Sequence, residues 1–181
     1  MSGRKVYIDD WDKPISSRAW HKHERKCDLK ENVSIHRKGD MYFISLFKRT
    51  NSGYLLDDIK REEHVSHFTK AAVMFLNRFI GSLDGWCIVT APRRRHFEGF
   101  HFSTSVCREI AKSGNIPFYE NAFQCITKDR VNPDIHLLRK INENRVIVFD
   151  DILTTGSTIA ACYQQIKEKK QVIVLIGINN N

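Results

Sequence analysis

Apolar and polar positions along this chain change period several times, and those changes divide it into helices and strands. Between residues 62 and 80 the side chains Val65, Phe68, Ala72, Phe75, Leu76 and Phe79 recur at three- and four-residue intervals, the spacing that lines one face of an α-helix. Gly81 follows and supplies a stop. Residues 86–91 form a short, largely apolar run, 103–112 return to helical spacing, and 116–119 and 145–149 are again short and apolar. Val146, Ile147, Val148 and Phe149 show no polar alternation, which suits a strand covered on both faces. A helix over 157–167, with Ile159, Cys162 and Ile166 on its apolar side, and a strand over 171–178 complete the series. Strands alternating with helices predict right-handed βαβ crossovers, hence an α/β fold built on a parallel sheet flanked by helices.

Upstream the pattern is weaker. Residues 5–8 and 41–47 have strand character, the second after the turn-like Lys38-Gly39-Asp40, and predict a small antiparallel element. A composition shift near residues 55–61 marks the candidate seam, with 1–60 as an N-terminal accessory or hood segment and 61–181 as the core. No internal repeat, low-complexity tract or Pro/Gly-rich linker interrupts either part.

A chain of 181 residues with 41% hydrophobic content can bury one substantial core. No run approaches the length needed to span a bilayer, and the amino terminus lacks a signal-peptide apolar region, so a cytoplasmic protein without a membrane partner is expected. Cys27, Cys87, Cys107, Cys125 and Cys162 are odd in number and include no C-x-x-C pair. Neither a disulfide framework nor a zinc ribbon is indicated, and small buried hydrophobes are the expectation. The net charge of +8 suits an anionic small substrate, a nucleic acid or merely a solvated surface, without choosing between them. The basic residues concentrate over 18–38 and at Arg93, Arg94 and Arg95.

Candidate chemistry follows the 145–149 strand. Asp150 and Asp151 would stand at its carboxyl end, the edge where open α/β sheets bind ligands. Thr154, Thr155, Gly156, Ser157 and Thr158 then open the next helix. Unpaired amides and a partial positive charge make that position favourable for an anion, and Gly156 lets backbone approach a phosphate without a Cβ in the way. Two carboxylates beside a bound anion must face something else, and vicinal hydroxyls fit them through charge-assisted hydrogen bonds. A simple helix cap would need one acid, not two.

The full segment VIVFDDILTTGST, residues 146–158, has four apolar residues, two acids, two variable positions and Thr-Thr-Gly-x-Thr. It resembles the phosphoribosyl pyrophosphate (PRPP) binding motif of type I phosphoribosyltransferases. The resemblance implies a Rossmann-like core and transfer of a phosphoribosyl group from PRPP to a nitrogenous acceptor with release of pyrophosphate. It assigns Asp150 and Asp151 to the ribose hydroxyls, as the catalytic pair that also touches Mg²⁺ through water, and residues 154–158 to the 5′-phosphate. The ligand would be PRPP or a nucleoside 5′-phosphate. Residues 90–103 look like the family's pyrophosphate loop, with Arg93 and Arg94 as preferred contacts. The polar, Pro-punctuated stretch 124–140 corresponds to a mobile lid, from which Lys128 and Arg130 would reach the diphosphate. Many relatives self-associate, so a homodimer is one expected form. Hypoxanthine-guanine members carry an aspartate where this chain has Thr154, and a threonine cannot accept a purine ring proton at neutral pH. The resemblance therefore points away from 6-oxopurine salvage.

Pro92, Arg94, Arg95, Gly99 and Phe100 fall in an order similar to that of the carboxyl-terminal phosphoribosyltransferase-like domain of ComF-type competence proteins. That similarity covers roughly the last half of the chain. Those proteins commonly carry an amino-terminal cysteine-rich zinc module, where this chain has only Cys27. It implies an alternative: a module of weak or no turnover that binds a nucleotide in its pocket and single-stranded nucleic acid on its basic surface.

Overall fold

The computed structural model describes residues 29–49, 60–92, 99–127, 129, 131–168 and 170–180. Within them the chain runs β1 (Leu29–Lys38), β2 (Met41–Arg49), α1 (Glu62–Phe79), β3 (Trp86–Thr90), α2 (Phe102–Gly114), β4 (Phe118–Tyr119), β5 (Phe123–Cys125), β6 (Ile135–Leu137), β7 (Arg145–Leu153), α3 (Ser157–Ile166) and β8 (Gln171–Asn179). The strand expected at 5–8 lies outside the described residues.

Six of these strands form one sheet in the order β1-β2-β8-β7-β3-β4, and β5 pairs with β6 beside it. The pairings β2 with β8, β8 with β7, β7 with β3 and β3 with β4 are parallel, and β1 joins β2 antiparallel at one edge. The first hairpin is therefore continuous with the core sheet. Its turn needs a left-handed residue, which Gly39 supplies at φ +61°.

Burial explains the apolar runs. All five residues of β3 are buried, as are Val146 to Phe149 of β7. On one face Ile88, Ile147, Phe149 and Leu175 pack against Phe68, Leu76, Val106 and Ile110 of α1 and α2. On the other, Val89, Val148, Val174 and Ile176 pack against Ile159, Cys162 and Ile166 of α3. A sheet covered on both faces has no place for polar alternation.

The elements differ from the sequence expectation in four places, one of them the paired β5 and β6 within a stretch read as a loop. β1 carries mostly polar residues with Val33 and Ile35 exposed; a charged edge strand is formed by pairing and has no hydrophobic pattern to announce it. β4 spans two residues rather than 116–119, because Ile116 N–H donates to Ala111 O at 3.0 Å and Asn115 adopts φ +49°, so the start of that run closes α2. β7 continues past Phe149 to Leu153, since the long β8 keeps pairing with it from Asp150 opposite Ile176 to Leu153 opposite Asn179. The aspartates thus lie within the strand, not after it.

Gly177 of β8 allows close packing directly beneath that extension. A Cβ there would lie 2.5 Å from the carbonyl oxygen of Asp151 and 2.8 Å from the ring of Phe68, both in fixed positions. Gly177→Ala is expected to destabilise the fold by about 1–3 kcal/mol, as overpacking does, which thermal melts would register as a fall of several degrees.

Candidate functional site

A step in the sheet edge places the acids. β3 ends its ladder with β7 at Thr90 opposite Phe149, and Ala91 N–H donates to Phe149 O at 2.9 Å. Beyond that point, among the described residues, β7 continues its ladder on the β8 side. From β3 the chain crosses to β4 on one side, with α2 on one face; from β7 it crosses to β8 on the other side, with α3 on the opposite face. This reversal opens a crevice at the carboxyl ends of the strands, the position where such sheets bind ligands. Asp150 and Asp151 are the first residues of β7 past the end of β3.

The two carboxyl groups differ in environment. Asp151 is 8% exposed, and its Oδ2 lies 2.7 Å from the Lys60 ammonium. Lys60 immediately precedes α1, whose first turn reaches the same edge because the helix runs antiparallel to β3. Asp150 is half-buried, and its Oδ1 accepts the backbone N–H of Asp151 at 3.0 Å. Desolvation, followed by the negative charge of Asp151, pushes the Asp150 carboxyl up to about 8, while Lys60 opposes the shift. Burial and the neighbouring carboxyl thus favour the protonated form of Asp150, while Asp151 is ion-paired with Lys60.

The loop behind them is shaped for close approach. Leu153 and Gly156 are buried, Thr154 and Thr155 are exposed, and Ser157 and Thr158 are half-buried. Gly156 takes φ +71° as the N-cap of α3 and has no side chain to cap the helix. Ser157 N–H reaches Thr155 Oγ1 at 3.4 Å, a long bond. Lys38, at the tip of the first hairpin, donates to the carbonyl of Thr155. Two residues on, Asp40 accepts hydrogen bonds from Gln164 and Lys167 at the far end of α3. The hairpin tip is thus fastened to α3 at one end and to the loop at the other.

The structure brings Asp150, Asp151 and residues 154–158 to one sheet edge. Arg93, Arg94, Lys128 and Arg130 lie outside the described residues, as do most of the basic cluster at 18–38 and Cys27. The expected lid stretch contains β5 and β6 and is anchored by buried Phe123 and Ile135. Cys87, Cys107 and Cys162 are buried; burial raises the Cys87 thiol to about 12 and the Cys107 thiol well above its usual value. These are packing groups. A groove of about 910 Å³ between α1 and α2, lined by Val65, Thr69, Met74, Phe100, Thr104 and Arg108 among others, contains none of the motif residues.

Sequence reasoning missed Lys60 and read Lys38 as part of a turn and of the basic cluster over 18–38, not as a partner of the loop. Their partners lie 91 and 117 positions away, and no local spacing marks such a pairing. Among the described residues no three His, Cys, Asp or Glu side chains converge. The donor set still fits Mg²⁺ that arrives largely coordinated by ligand oxygens and water, since one or two carboxylates suffice for an ion bound that way.

No family model matches the chain, and no curated protein matches its sequence. Solved structures match its fold. An adenine phosphoribosyltransferase aligns over 82% of this chain and 85% of its own, with a TM-score of 0.51 and 12% identity. Adenine phosphoribosyltransferase from Saccharomyces cerevisiae, complexed with D-2,5-dideoxy-2,5-imino-altritol 1,6-bisphosphate and adenine, aligns over 81% and 84%, with a TM-score of 0.50 and 12% identity. The chain spans 66% of the length of a hypothetical protein from Neisseria gonorrhoeae with bound ppGpp, at a TM-score of 0.44 and 14% identity. The fold is that of the type I phosphoribosyltransferases, a mostly parallel sheet with a small antiparallel element at one edge. Among the described residues no helix is long and apolar enough to cross a membrane.

The raised Asp150 carboxyl fixes a sign for pH dependence. Its folded value lies above the unfolded one near 3.8, so the native state holds the proton more tightly. That contribution to stability is complete below the unfolded value and is lost as pH climbs through about 8. Asp150→Asn, which stays neutral, is expected to raise the melting temperature relative to wild type more at pH 9 than at pH 5. Equal shifts at both pH values would contradict the assignment.

Proposed function

We propose that this chain binds PRPP in the β3/β7 crevice and transfers the phosphoribosyl group to a nitrogenous acceptor with release of pyrophosphate, the same crevice holding the product, a nucleoside 5′-phosphate when the acceptor is a base. The observation that carries this reading is the placement of the complete diacid and Thr/Gly-loop motif at the switch point of a phosphoribosyltransferase-type sheet.

The loop 154–158 receives the 5′-phosphate on its amides and hydroxyls, next to the uncapped start of α3. Asp151 accepts one ribose hydroxyl as a carboxylate. Asp150, whose burial favours the protonated form, both donates and accepts when it carries the proton, which suits the second hydroxyl. Held at both ends, the sugar presents C1 toward the crevice opening. Charge builds on the departing diphosphate while C1 becomes oxocarbenium-like, so orientation and nearby cations supply the rate. Arg93 and Arg94 on the loop after β3 and Lys128 and Arg130 on the connection between β5 and β6 are the residues we assign to the diphosphate. Asp150 and Asp151 would hold Mg²⁺ through water, and when bound that ion supplies charge neutralisation on the diphosphate. Thr154 offers no base for a purine ring proton, so the acceptor is sought among adenine, pyrimidines and small amines.

Isothermal titration with PRPP and Mg²⁺ tests the binding step. Wild type is expected to bind, and the double variant Asp150→Asn, Asp151→Asn to lose about tenfold or more in affinity, as expected when charged hydrogen bonds are removed. A pyrophosphate-release screen across acceptors then tests transfer. Binding without release from any acceptor would assign the chain to the nucleotide-binding, non-transferring alternative, and absence of binding to PRPP and to nucleoside 5′-phosphates alike would overturn both.

A further inference from the structure

We infer that Lys60 is a positioning residue for the sugar-binding acids, fixing the Asp151 carboxylate at the crevice so that a ligand diol meets an acceptor of set charge and direction. The inference rests on the sugar-phosphate reading above and adds a residue that lies outside the motif.

The geometry is specific. Lys60 Nζ approaches one oxygen of Asp151, Oδ2, at 2.7 Å. The Asp151 side chain is only 11% exposed, while Lys60 is 33% exposed, so the pair stands at the rim of the crevice with the acid on the inner side. A carboxylate so removed from water is costly without a counter-charge, and Lys60 provides one. Fold stability alone does not account for such a pair, because apolar residues of similar volume commonly serve as well or better. What an apolar pair cannot supply is an oriented acceptor at the ligand edge.

The elements involved strengthen the case. Asp151 is held by the β7–β8 ladder, whereas Lys60 comes from the segment entering α1. The rotation of the carboxylate is therefore set by a different part of the chain from the one that fixes its backbone. The position of α1 against the sheet, through Phe68 and its neighbours, helps hold the two in register.

Isothermal titration with ribose 5-phosphate and, separately, inorganic phosphate, both without metal, tests this on Lys60→Met, Lys60→Arg and Asp151→Asn, and on Lys60→Met combined with Asp151→Asn. Lys60→Met is expected to weaken ribose 5-phosphate about tenfold and to leave inorganic phosphate unchanged. Lys60→Arg should recover most of the loss, and Lys60→Met should add nothing once Asp151→Asn is present. Ribose 5-phosphate affinity unchanged or tightened by Lys60→Met overturns the inference. So does a parallel loss of both probes, or an undiminished effect in the Asp151→Asn background. Wild-type protein that takes up neither probe overturns the sugar-phosphate reading itself, and this inference with it.

Discussion

A strand that outlasts its neighbour is the constraint on which this structure depends. β7 keeps its hydrogen bonds to β8 through Leu153 after β3 has ended beside Phe149. The backbone of Asp150 and Asp151 is thereby held rigidly from one side and opened from the other. The same rigidity creates an electrostatic problem, because consecutive acids on an interior strand cannot both carry charge cheaply. The molecule meets it asymmetrically: burial favours the protonated form of Asp150, and Lys60 lies against Asp151.

Each remaining part of the site is set by that rigid edge. Gly177 beneath Asp151 allows the Phe68 ring to press against the sheet, and α1 is seated by that contact. Seating α1 brings Lys60 to the acids. On the opposite face, Ile159, Cys162 and Ile166 seat α3, so that its first turn and the loop before it follow directly from the end of β7. Core packing and site geometry share these residues, and a change that loosens either helix is felt at the crevice.

The core was legible in the sequence where burial is two-sided or periodic. The block Val146 to Phe149 reads as a covered strand because both faces really are covered, and α1 reads as a helix because Val65, Phe68, Ala72, Phe75 and Leu76 share one buried stripe, whereas Phe79, read into the same stripe, is exposed at the helix end. The motif residues 150–158 were legible because their types and order are unusual together. What escaped were features decided at long range. The extension of β7 depends on the length of β8, β1 exists through pairing with β2, and Lys60 and Lys38 find partners that nothing near them in sequence foretells. The shortened β4 shows the opposite case, in which a local helix-closing bond took residues that an apolar run had offered to a strand.

The edge hairpin grips α3 lengthwise: Lys38 holds the peptide at its entrance and Asp40 holds Gln164 and Lys167 at its exit. These are solvent-exposed side-chain contacts, worth little in stability; their consequence is one of reach, since through them the outermost strands, remote from the acids in sequence, touch the very peptide that leads from β7 into α3.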